Sequence, residues 1–133
     1  MAHTADITKL NDGDRSAVFH VFIKGDGASP DLSKLTLIDP NVDLSPKLGK
    51  RPSLTITALW YSLAGFDARL EFDYLNDETG VWALAQGNPA DLCFDSFGGI
   101  KDRSPVDGTG KLMLTTSGLQ SGIGSIIIKV RKD

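Results

Sequence analysis

The chain has 133 residues with 14 Lys+Arg against 17 Asp+Glu, a formal charge of −3, so a polycation that tracks a phosphate backbone and a strongly acidic solvating tail are both excluded. Hydrophobic residues make up 41%, with 14 Gly and 6 Pro spread along the chain, which is the composition of one globular domain able to bury a core without staples. A single cysteine excludes an intramolecular disulfide and a zinc site built from cysteine pairs.

The first segment, residues 1–14, is polar and carries only Ile7 and Leu10 as apolar anchors. It lacks the basic region and apolar run of a secretory signal, and no window of the chain holds the apolar residues of a membrane span, so a soluble protein made in a cytoplasm is expected. A strand is expected near residues 5–10, and the segment suits an arm that adds a strand to a neighbouring subunit, with a frayed terminus as the alternative. A strand follows near residues 16–24, where Phe19, Val21 and Ile23 share one face and His20 lies on the other.

Residues 25–31 are a loop, 33–39 a strand, and 40–52 a loop containing the basic run Pro46 to Pro52. In residues 53–64 alternation puts Leu54, Ile56, Ala58 and Trp60 on one face and Thr55 and Thr57 on the other. In residues 67–75 Leu70, Phe72 and Tyr74 point inward and Arg69, Glu71 and Asp73 outward. Leu63 to Asp67 reads as a turn that makes these two strands a hairpin. Strands near 80–86 and 90–95 come next, the second with Cys93 between Leu92 and Phe94 as a small buried side chain. Residues 95–110 form a connection long enough to carry function. Strands near 111–116 and 124–131 close the chain, with Ile126, Ile128 and Val130 together on one face.

Nine short apolar runs, separated at intervals of about ten residues by turn-forming clusters, and no amphipathic helix between them, predict an all-β single domain. The expected architecture is a β-sandwich or jelly-roll-like barrel of about eight to nine short antiparallel strands, with an extended N-terminal arm over residues 1–14 and the sandwich domain over 15–133.

Catalytic groups are few. His3 lies in the terminal arm, His20 sits in a strand, Cys93 is the lone thiol, and there is no Gly-x-Ser-x-Gly elbow. The acidic stretches at 11–14 and 76–80 lack the spacing of a calcium loop and read as turns. Asp107 to Lys111 ends like a phosphate loop but feeds a strand rather than a helix. No catalytic residue, cofactor or metal ligand is assigned. The strand aromatics and the 46–52 run supply ingredients of an oligonucleotide-binding barrel, which the acidic balance opposes. Charge is uneven, with residues 67–95 acidic and 101–133 basic, a cue for a partner of complementary charge or for self-association.

Within residues 54–132, the runs Leu59 to Tyr61, Ala68 to Asp73, Phe97 to Lys101, Gly108 to Leu112, Leu114 to Leu119 and Ile126 to Val130 follow one another in an order that resembles small capsid decoration (cement) proteins of tailed bacteriophages. That resemblance implies a structural virion protein on the outer surface of the capsid, synthesised in the host cytoplasm, which bridges neighbouring capsomers and stabilises the mature head. It implies the major capsid protein as partner and a homo-oligomer, a trimer ahead of a dimer, with no membrane and no direct nucleic acid. Candidate interface residues are Ile7, Leu10, Trp82, Phe97, Ile100, Lys101 and Arg103, with Trp60 as a further aromatic candidate. Two other readings stay open: another virion component, such as a tail or glycan-contacting β domain, and an oligonucleotide-binding barrel.

Overall fold

The structure, a computed structural model, describes residues 3–13, 16–28, 30–33, 35–39, 54–74, 78–87, 89–94, 98–101 and 108–132. They form the strands β1 (Thr4–Asp12), β2 (Ser16–Lys24), β3 (Leu35–Ile38), β4 (Leu54–Ala64), β5 (Asp67–Tyr74), β6 (Glu78–Leu84), β7 (Ala90–Cys93), β8 (Ile100–Lys101), β9 (Gly108–Ser117) and β10 (Ile123–Lys132). The expected all-β sandwich is the fold the chain adopts, and there is no helix among the described residues.

Every pairing is antiparallel, and the strands divide between two sheets. The larger runs β1-β2-β10-β4-β7, with β8 also paired to β4, and the smaller runs β3-β9-β5-β6. From β2 onward the chain mostly alternates between sheets, β5 and β6 forming a hairpin within the smaller one. Four strands ordered β2-β10-β4-β7 facing four ordered β3-β9-β5-β6 is the strand order of a jelly roll, extended on one edge by β1.

The core lies between the sheets and follows the period-2 pattern wherever the ladder is regular. Phe19, Val21 and Ile23 of β2 and Ile126, Ile128 and Val130 of β10 are buried, as their alternation predicts, against Leu70 and Phe72 of β5 and Leu112 and Leu114 of β9. Each such side chain contributes about 1.5–3 kcal/mol through removal from water.

The expected hairpin between residues 53–64 and 67–75 does not form. β4 belongs to the larger sheet and β5 to the smaller, so the link through Gly65 and Phe66 crosses the sandwich. Phe66 is fully buried and plugs the end of the core at this crossing, which a solvated hairpin turn would not allow.

The facing of β4 also departs from simple alternation. Lys129 of β10 stands opposite Ala58 and Val130 opposite Ile56, so Thr57 is an extra residue. Such a bulge exchanges the two faces of everything beyond it. Leu54 and Ile56 point inward as expected, but further along it is Leu59 and Leu63 that are buried, while Trp60 turns outward. The Thr57 hydroxyl donates to the Lys129 carbonyl at 3.2 Å, which ties the bulge to its neighbour strand.

The strand expected near residues 5–10 forms as β1 and pairs with β2 of the same chain, from Thr4 opposite Lys24 to Asp12 opposite Ala17. The segment is anchored at its start. The His3 side chain is 1% exposed, and its Nδ1 accepts the Asp26 backbone N–H at 3.1 Å. The larger sheet is wider than the smaller one, so β1 overhangs: Ile7 lies opposite the fully buried Val21 yet is 37% exposed.

Cys93, expected to be buried, is exposed, because on β7 the inward position belongs to Leu92. Glu71, expected on a wet face, is buried, with Arg69 Nε 3.1 Å from its Oε1.

Candidate functional site

The register of the larger sheet assembles its outward face from rows of side chains. One row runs Thr8, His20, Ile127, Trp60, Asp91 across β1, β2, β10, β4 and β7. The next runs Asp6, Phe22, Ser125, Ser62, and the one beyond it Thr4, Lys24, Ile123, Ala64. Large apolar side chains therefore stand on both sides of a low strip of two serines.

That relief makes two adjoining depressions. One, of about 310 Å³, is lined by Trp60, Ile127, Pro89 and Asp91 and has Ser62 and Ser125 on its floor. The other, of about 260 Å³, lies between Phe22 and Ile123 and shares the same serines. Trp60 is 37% exposed and Ile123 47% exposed, although each sits on a strand paired on both sides.

A second exposed feature is the free edge of the same sheet. Among the described residues β1 pairs with β2 alone, leaving its other side without a strand. The ladder slips between Lys9 and Asn11, so Leu10 is the extra residue of a bulge and is 55% exposed. Bulges interrupt strand addition. The regular part of the edge that no strand covers among the described residues is therefore Thr4 to Thr8.

The other sequence-derived interface residues are scattered. Trp82 lies on β6 opposite Leu70, on the inward face of an edge strand, half-exposed, with its ring against Phe94. Ile100 is on β8 opposite Ile56 and packs against the core, and Lys101 is beside it opposite Thr55. Phe97 and Arg103 lie outside the described residues, as does the 46–52 basic run. Ile7 and Leu10 thus come together on one edge, while Trp82 and Ile100 belong to other parts of the sandwich.

Loops at the end of the sandwich near Gly25 are fastened by a carboxylate. Asp31 accepts N–H bonds from Leu119 at 2.7 Å and Gly118 at 3.1 Å and the Thr116 hydroxyl at 3.2 Å. The Leu119 bond, opposed by desolvation and helped by Gly118 and Thr116, holds its carboxyl below the ordinary value. Leu32 adds reciprocal bonds with Thr116, both at 2.9 Å. This is a structural clasp between the β2–β3 connection and the β9–β10 turn.

Among the described residues no group of His, Cys, Asp and Glu is placed to hold a metal ion. No helix of the described part is long and apolar enough to cross a membrane.

No family model matches the chain, and no curated protein matches it. Among solved structures, a cupin domain from Bordetella pertussis Tohama I is similar at 8% identity and a TM-score of 0.35, covering 100% of this chain and 97% of that one. A likeness at that level bears on neither fold nor chemistry.

Proposed function

We propose that the chain is a structural virion protein without catalytic activity, which binds the outer surface of a phage capsid and stabilises the mature head by bridging neighbouring capsomers. The observation that carries the reading is the edge of β1 that no strand covers among the described residues: a regular stretch from Thr4 to Thr8 with Ile7 exposed on it and Leu10 protruding beside it. A neighbouring subunit's strand added there gains main-chain hydrogen bonds along the edge, and the two apolar side chains supply the pockets' contents. The order of runs over residues 54–132 adds to this, by its resemblance to decoration proteins.

The partner is the major capsid protein, and several copies associate as a trimer or a dimer. The work is done by mass action. A ligand bound only to the mature lattice at about one hundred times its Kd stabilises each site by about 2.7 kcal/mol. Repetition over many sites multiplies the effect.

The test is co-sedimentation of the purified protein with mature and immature heads of the phage that encodes it. Binding to mature heads is expected, with Leu10→Asp and Ile7→Lys each weakening it by about tenfold or more. Equal retention of wild type and both variants, or no sedimentation with either head form, overturns the reading.

A further inference from the structure

We propose that the outward groove beside Trp60 is a binding site for a neutral saccharide, a property that goes beyond capsid binding and stands independently of it. The groove combines groups that suit a ring with apolar C–H faces and a hydroxyl edge. Trp60 stands on a strand paired with β10 on one side and β7 on the other, so its indole is presented as an apolar platform on a backbone that loses little freedom on binding. Asp91 lies directly across the ladder from it, which places the two Cβ atoms about 4.5–5.5 Å apart. Its carboxylate accepts hydrogen bonds from hydroxyl groups. Ser62 and Ser125 face each other on the floor and both donate and accept.

Other occupants fit less well. A purely apolar peptide side chain would strip water from Asp91 and the serines without replacing their hydrogen bonds, at a cost. A phosphate-bearing or sialylated ligand meets a carboxylate and no Lys or Arg among the described residues of the lining. A neutral sugar leaves neither the indole nor the polar groups unmatched.

The second depression extends the site. Phe22 stands two strands and two residues away from Trp60, a separation of about 12 Å at ordinary strand spacing and rise. The two aromatic platforms with serines between them fit a short oligosaccharide rather than a single ring.

The experiment is binding of the labelled full chain to an array of neutral and sialylated glycans, followed by calorimetric titration of wild type and variants with the neutral glycans retained. Binding to neutral glycans is expected, with Trp60→Ala and Asp91→Ala each weakening it about tenfold or more and leaving the far-ultraviolet spectrum unchanged. Phe22→Ala weakens longer glycans more than shorter ones. Absence of neutral-glycan binding by the folded wild type, preference for sialylated glycans, or binding indifferent to Trp60→Ala and Asp91→Ala overturns the proposal. Sedimentation of Trp60→Ala with mature heads separates the two functions: head binding through β1 persists when the saccharide site is lost.

Discussion

Trp82 of β6 and Phe94, just after β7, meet with ring centroids 5.2 Å apart and planes at 53°, joining the edge of the smaller sheet to the edge strand of the larger one. Phe94 is buried and donates its backbone N–H to the Thr57 carbonyl at 2.8 Å, so the contact is linked through the backbone to the β4 bulge. Trp82 thus helps to close this end of the sandwich. Trp82→Ala is expected to cost about 2 kcal/mol of stability, below the usual range for a fully buried aromatic because the ring is half-exposed. A double-mutant cycle with Phe94→Leu in urea should return a coupling of about 0.5–1.5 kcal/mol. Zero coupling would mean the rings do not stabilise each other.

The bulge at Thr57 makes a sharper prediction, since plain alternation and the observed register assign opposite roles to neighbours. Leu59→Ala should destabilise by about 2–5 kcal/mol, whereas Trp60→Ser, at a site as exposed as that of Trp82 and without a ring partner among the described residues, should cost no more than about 1–2 kcal/mol although it removes the larger side chain. Chemical denaturation of the two variants decides it. The reverse ranking would restore the unbulged strand.

Asp31 predicts a pH dependence. Its folded carboxyl is held below the ordinary value of 3.8, chiefly by the Leu119 N–H bond, so the stability it contributes is present above that value and is lost as pH falls through the lower folded value. Asp31→Asn is therefore less stable than wild type near neutral pH. The difference closes in strong acid, below both values, where the wild-type group is also neutral. Urea midpoints measured from about pH 7 down to about pH 2 check this. A gap of constant size across that span would show that the charge on the clasp is irrelevant.

Gly99 sits at φ +88° in the connection between β7 and β8, where a Cβ would stand 2.6 Å from Thr55 Cγ2 and 2.9 Å from the Ile56 carbonyl oxygen. Gly99→Ala combines a left-handed backbone with a clash against β4. We expect a loss of about 1–3 kcal/mol, read as a lowered melting temperature.

The parts of this fold legible from sequence are those where local pattern alone decides. β2 and β10 keep strict alternation along ladders without a bulge in their mutual pairing, and the residues expected inside, such as Val21 and Ile128, are inside. Pairing partners were not legible in the same way. A chain link as short as Gly65–Phe66 suits a hairpin or a sheet-to-sheet crossing equally, and the choice is made by distant strands: β10 takes one side of β4, and β9 one side of β5. The bulge at Thr57 left no mark, since Thr55-Ile-Thr57 reads as ordinary alternation. That one unseen residue turned Trp60 outward and with it placed the saccharide groove, whose other members, Asp91, Ser62 and Ser125, are brought together only by register. His3 was hidden for a similar reason: its partner, Asp26, lies beyond the next strand. Of the residues expected to form an interface, Ile7 and Leu10 share an exposed edge.

A domain that works on a mature capsid lattice, as proposed, decorates that lattice visibly, and imaging of mature and immature heads mixed with the purified protein is the decisive measurement. Regular added density is expected on mature heads, at positions of local symmetry, with β1 at the contact. Bare mature heads in the presence of excess folded protein would contradict it.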